Sequence, residues 1–259
     1  MTPEPNQLLR PSLYVGALVL PLLMSTSALA QSAGGDWSYK IAPYFWGTGL
    51  SGTVATSPAL PPADVDASFG DIWDNLDFAA MVVGHANNGR FGFSGDLQYF
   101  KLGNSGPTPG PAYSSVDVAI TNKIYSLNAE YLLKTSSTSE VWGSIGARYW
   151  SVDAGLNFSA GTSPAASARS KNTWVDPMIG VRGRTELSGD LYLVGWAYAG
   201  GFGVGSDSSF DLFGALGYQF TPTTSGIIGY RWLSVDREDG SFQYDVEMEG
   251  LMAGVSFNF

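Results

Sequence analysis

Leu251-Met252-Ala253-Gly254-Val255-Ser256-Phe257-Asn258-Phe259 is the stretch that decides the fold class. Side chains of an extended strand point alternately to its two faces. Leu251, Ala253, Val255, Phe257 and Phe259 therefore share one face, and Met252, Gly254, Ser256 and Asn258 share the other. An apolar face backed by small and polar residues suits a strand with lipid on one side and a polar lumen on the other. A water-soluble sandwich could end the same way, so the rest of the chain has to choose between them.

Composition favours the barrel. Charged residues make up 14% of the 259 positions, well below the usual quarter. Gly and aromatic residues are abundant, and mean hydropathy is +0.03. Helical membrane proteins are more apolar than this and soluble domains are more charged, whereas alternating strands average to such a value. The net charge of −10 argues against nucleic acid as a partner, because a phosphate backbone calls for a basic face. With no cysteine there is no disulfide framework, so sheet closure and burial must supply stability.

At the other end, Arg10 precedes an apolar stretch from Leu13 to Met24, followed by Ala28-Leu29-Ala30. A positive start, a short apolar core and small residues form the order of a secretory signal. We expect residues 1–30 to be cleaved, leaving Gln31 first in a single domain, 31–259. Beyond Ala30 no apolar run approaches the roughly 20 residues of a membrane helix.

Turn signals divide the mature chain into about ten strands, with eight or twelve as the neighbouring counts. They fall near 37–48, 78–86, 90–102, 115–134, 140–158, 172–187, 191–202, 209–220, 225–235 and 241–259. The apolar parity changes within the fourth, between Val116/Val118/Ile120 and Tyr125/Leu127/Tyr131, and again within the last. A β-bulge is the expected cause. Turns after the second, fourth, sixth and eighth strands are short, and connections after the first, third and fifth are long, the first running over 49–77. Short periplasmic turns facing longer external loops give an all-β, transmembrane antiparallel up-and-down barrel with both termini in the periplasm.

Several stretches resemble an uncharacterised family of proteobacterial outer-membrane β-barrel proteins, small monomeric porin-like or outer-membrane protein A-like barrels. They are Pro43-Tyr44-Phe45-Trp46, Gly49 to Val54, Asp71-Ile72-Trp73-Asp74-Asn75-Leu76-Asp77-Phe78-Ala79, Gly200 to Asp207, and Gly229-Tyr230-Arg231-Trp232. Relatives often carry an acid shortly before the double glycine, where this chain has Tyr198. The end Gly254-x-x-Phe257-x-Phe259 also resembles the C-terminal insertion signal of such barrels. The resemblance implies an outer-membrane location, contact with outer-membrane lipid and lipopolysaccharide, passage through the outer-membrane assembly machinery, and a monomer. It implies no settled activity.

Ile145-Gly146-Ala147-Arg148, Ile179-Gly180-Val181-Arg182 and Ile228-Gly229-Tyr230-Arg231 share Ile-Gly-x-Arg. If each Ile faces lipid, Arg148, Arg182 and Arg231 face the lumen, and Asp96, Glu130 and Asp211 point inward by the same parity. Glu130 is then expected to pair with Arg148, and Asp211 with Arg231, each from a neighbouring strand. These six charges either form a salt-bridged plug or line a selective constriction. Small barrels are filled by their own side chains, which favours the plug. The corresponding function is a non-enzymatic envelope scaffold or interaction protein, with a narrow low-conductance pore as the alternative and an outer-leaflet lipid-modifying enzyme as the remote one.

Acids gather in 64–77 and 236–249 without an EF-hand spacing, so a solvated rim is expected and no metal site. Phe69, Ile72, Trp73 and Leu76 recur at helical spacing, with Gly70 or Asp71 as candidate cap of a single turn. Trp37, Tyr39, Tyr44, Trp46, Tyr149, Trp150, Trp196, Tyr198 and Trp232 suit interfacial girdles. His85 is the chain's one histidine and sits beside the Asn87-Asn88-Gly89 turn, at the periplasmic rim. Catalysis on such a barrel generally needs a His with a Ser or an acid in reach of substrate, and no cofactor motif is present.

Overall fold

The computed structural model describes residues 37–55 and 62–259. The expected signal segment, 1–30, and Gln31 lie outside them. Ten long strands close into an antiparallel barrel: β1 (Ser38–Ala55), β3 (Leu76–Asn87), β4 (Phe91–Pro107), β5 (Tyr113–Thr135), β6 (Ser139–Ala160), β7 (Ala166–Ser188), β8 (Leu191–Gly201), β9 (Ser208–Thr221), β10 (Thr224–Asp239) and β11 (Phe242–Asn258). Each pairs with its sequence neighbour, and β11 returns to β1. At the seam, Tyr39 N–H donates to Phe259 O at 3.1 Å and Phe259 N–H donates to Tyr39 O at 2.8 Å. The terminal residue thus helps to close the ring and remove a sheet edge.

The β3–β4, β5–β6, β7–β8 and β9–β10 turns lie at the Tyr39–Phe259 end of the barrel. Gly89, at φ 81°, takes the left-handed conformation that the β3–β4 reversal requires. The opposite connections are shorter than the sequence suggests, because the strands continue upward. β4 runs to Pro107 and β7 starts at Ala166, leaving 108–112 and 161–165 as loops.

The expected first loop, 49–77, is largely structured. β1 continues to Ala55, and a short strand, β2 (Ala63–Ala67), folds back on Leu50–Val54. A six-residue helix, α1 (Phe69–Asp74), follows. Its cap is Ser68, not Gly70 or Asp71: the Ser68 hydroxyl accepts from Asp71 N–H, and Asp71 Oδ2 accepts from Ser68 N–H at 2.9 Å. This reciprocal capping box satisfies two otherwise orphan donors. Hydrogen bonds from the Ser68 hydroxyl, then from its amide, hold the Asp71 carboxyl below its ordinary pKa.

The two parity changes are not bulges. β5 keeps one register with β4 and β6 from Val116 to Leu132, and β11 keeps one register with both neighbours throughout. What changes is the environment. In the lower part of the barrel, apolar side chains point outward: Leu127, Ile145, Ile179, Ile228 and Leu251 are more than half exposed. In the upper part the apolar residues point inward, and Trp150, Val152, Trp174, Leu233, Tyr244 and Met248 form a buried core. The lower outer surface is a lipid-facing belt. On β11 the outward apolar face runs from Leu251 to Phe259, nine residues, in the 9–11 residue range of a tilted membrane strand. Above it, a soluble-type interior fills the extension.

The aromatic assignments divide accordingly. Tyr39 is exposed on the wall, and Tyr149 and Trp232 are partly exposed there. Trp37 stacks on Phe93 at 6.3 Å. Tyr44, Trp46, Trp150 and Tyr198 are not in a girdle but buried inside, and Trp196 packs against the interior core.

Candidate functional site in the barrel interior

The Ile-Gly-x-Arg pattern sets the interior chemistry. Alternation sends Ile145, Ile179 and Ile228 outward and Arg148, Arg182 and Arg231 inward. The glycine two residues before each arginine also faces in. A Cβ at Gly180 would collide with the Tyr198 side chain, so its absence lets Tyr198 fill the bore. Asp96, Glu130, Arg148, Asp211 and Arg231 are all buried, and the Arg182 side chain is 13% exposed.

The six charges form two clusters. In the upper one, Arg231 reaches Asp211 at 2.7 Å and, across the bore, Asp96 at 2.8 Å. Its Nη1 also donates to the Tyr44 hydroxyl at 3.0 Å, which donates to Asp96 Oδ1 at 2.7 Å. Gln98 Nε2 donates to Asp96 at 2.8 Å, and Trp196 Nε1 to Asp211 at 2.9 Å. The Arg231 guanidinium lies 5.1 Å from the Trp46 ring and 5.2 Å from the Trp196 ring, in cation–π range of both. Arg148 donates to Ser126 and also binds Asp211.

Below this, Arg182 meets Glu130 at 3.1 Å and His85 Nε2 meets Glu130 at 2.8 Å. Ser144 donates to the same carboxylate at 3.3 Å, while Trp142 lies edge-on to His85 at 5.6 Å. Two sequence expectations are corrected here. Arg148 pairs with Asp211, three strands away, and Glu130 pairs instead with Arg182. His85, two residues from the end of β3 as the sequence places it, points inward to this cluster. Strand order and parity specify the facing side of each residue, whereas the reach of an arginine across a narrow bore depends on barrel diameter.

A third polar point was missed in the sequence. Asp176 is fully buried and accepts from Trp150 Nε1 at 2.7 Å, Ser206 N–H at 2.6 Å and the Ser206 hydroxyl at 2.9 Å. Trp174 Nε1 donates to the Ser206 hydroxyl at 2.8 Å. Ser206 belongs to the β8–β9 connection, so these bonds draw that external loop onto the barrel mouth. Its signal was Trp174-Val175-Asp176, in which Trp and Asp share the inward face.

Between the two arginine clusters lies a cavity of about 100 Å³, bordered by Ala42, Val83, Asp96, Arg148, Tyr198 and Arg231. Among the described residues, no three His, Asp or Glu side chains converge as a metal site.

A closed ten-stranded antiparallel sheet, an apolar outer belt and a charged interior define an outer-membrane-type β-barrel. Comparison with solved structures gives barrels of that kind. The outer membrane protease OmpT from Escherichia coli matches with TM-score 0.48 and 10% identity, over 86% of this chain and 96% of that one. Neisserial surface protein A matches with TM-score 0.30 and 15% identity, over 86% and 97%. The attachment invasion locus protein Ail of Yersinia pestis matches with TM-score 0.32 and 12% identity, over 86% and 98%. No protein-family model matches the chain, and no curated protein matches it in sequence.

Proposed function

We propose that the protein is a non-enzymatic, monomeric outer-membrane barrel whose lumen is plugged, and that it serves the envelope as a scaffold or interaction protein. The observation that carries this reading is the cross-lumen ion network: Arg231 joins β10 to Asp211 on β9 and to Asp96 on β4, and Arg148 ties β6 into the same group. Above it, the aromatic and methionine core fills the extension. Its surroundings are outer-membrane lipid and lipopolysaccharide, reached through the outer-membrane assembly machinery with the Gly254, Phe257 and Phe259 signal.

The histidine supports a structural role. His85 and Ser144 both bind Glu130, and no described hydrogen bond joins the imidazole to a hydroxyl that could serve as nucleophile. The test is electrical: refolded protein in a planar bilayer should carry no steady current, and steady ion-selective current would replace this reading with a narrow pore.

A further inference from the structure

The barrel wall is incomplete on one side. β3 pairs with β1 only between Ser38–Pro43 and Val82–Asn87. Higher up, β1 turns to β2 from Leu50 onward, while β3 from Leu76 to Met81 pairs with β4 alone. The edges at 44–49 and 76–81 therefore face a break in the sheet. α1 stands against it on the outside. Phe69 and Trp73 pack edge-on against lipid-facing Phe45, with centroids 5.9 and 5.7 Å away, yet remain 41% and 53% exposed.

Behind α1 is a cavity of about 300 Å³. It reaches from Phe45, Phe69 and Trp73 on the outer face to Phe100, Val118 and Met248 inside. That volume lies at the lower end of small-molecule sites, roughly 300–1,000 Å³. Its lining is almost wholly apolar. Among its buried polar groups, Trp46, 2% exposed, lines the cavity with an Nε1 that has no protein partner. Lys101, register partner of Phe78 at the edge of the break, holds a half-exposed ammonium on the outer face beside Asp77.

We propose that this break is a lateral portal through which one acyl chain of an outer-leaflet membrane lipid enters the barrel wall, with α1 as its outer cover. Two features choose a bilayer lipid over a solute from the external medium. The opening meets the lipid-facing side at Phe45. The cover presents half-exposed aromatics, as an interfacial element does. The site meets the charged plug at the Trp46 ring, but its test reads lipid adducts and not current, so it stands or falls independently of the conductance reading.

The experiment uses full-length protein refolded into phosphatidylcholine vesicles that contain phosphatidylcholine with a diazirine near the end of one acyl chain. Adducts are mapped by peptide mass spectrometry after irradiation. Lipid-facing Leu127 and Ile145 provide the control for labelling from the bilayer. The proposal expects adducts on inward-facing Phe100, Val118 or Met248 as well. Val118→Trp and Ala79→Phe, two separate fillings of the cavity, should each reduce the interior adducts at least tenfold and leave the wall adducts unchanged. The heat-dependent gel shift identifies folded variants. Wild-type adducts confined to the outer wall would overturn the proposal. So would interior adducts obtained only from a free diazirine fatty acid added in water, or interior labelling that persists in a folded filled variant.

Discussion

Arg231 and Asp211 meet at 2.7 Å deep in the barrel, each side chain 1% exposed, and the same guanidinium continues across the bore to Asp96. Removing one partner of a buried ion pair leaves an uncompensated charge, at a cost of about 3–5 kcal/mol. Arg231→Ala strands Asp96 and leaves Asp211 with Arg148 alone, whereas Arg148→Ala leaves both acids paired with Arg231, so Arg231→Ala should lower the denaturant midpoint of the vesicle-folded protein more. Unfolding followed by tryptophan fluorescence checks the order.

The pairing pattern gives a sharper test. Arg148→Ala and Asp211→Ala should couple by roughly 0.5–3 kcal/mol in a double-mutant cycle, as contacting residues do. Glu130→Ala should couple with Arg182→Ala in the same range, but with Arg148→Ala only within about 0.5 kcal/mol. Coupling of Glu130 to Arg148 instead would contradict the observed clusters.

His85 shares Glu130 with Arg182 and Ser144. His85→Ala should leave Glu130 charged and still paired, so its cost should be smaller than that of Arg182→Ala. Parallel denaturant titrations of the two variants make the comparison. Neither change should alter a lipid- or peptide-modifying activity, and loss of one in folded His85→Ala would refute the non-enzymatic reading.

The capping box of α1 responds to pH. The Asp71 pKa is lowered by folding, so its contribution is present above the unfolded value and is lost as pH falls through the folded one. Asp71→Asn should therefore speed amide exchange across 69–75 at neutral pH. The difference from wild type should shrink once acid protonates Asp71. Ser68→Ala should act in the same direction, by about 0.5–2 kcal/mol of cap energy. Hydrogen exchange read by mass spectrometry at matched intrinsic rates resolves both.

The barrel was legible in the chain because lipid imposes a strict alternation on Leu251–Phe259 and on the three Ile-Gly-x-Arg strands. The strand extensions were not. Val116, Val118 and Ile120 lie above the belt, where the interior is apolar and the outside is wet, so the same strand reverses its pattern without slipping register. A sequence shows that reversal as a bulge unless the height of the membrane is known. The inward set of charges was legible from parity. Their partners were not, because Arg148 crosses three strands to Asp211, a distance that only the closed ring defines. The break beside α1 was hidden for a related reason: 78–81 reads as strand whether or not its second edge is paired.

The plug is tested most directly by single-channel recording of refolded wild-type protein in planar bilayers, beside Arg231→Ala and Arg148→Ala. With Arg231 spanning from Asp211 to Asp96, wild type should show no steady conductance, and any current in the arginine variants should be intermittent and accompanied by a lowered unfolding midpoint. Steady, ion-selective current through wild type, with arginine changes that alter selectivity and leave stability untouched, would contradict the plugged barrel.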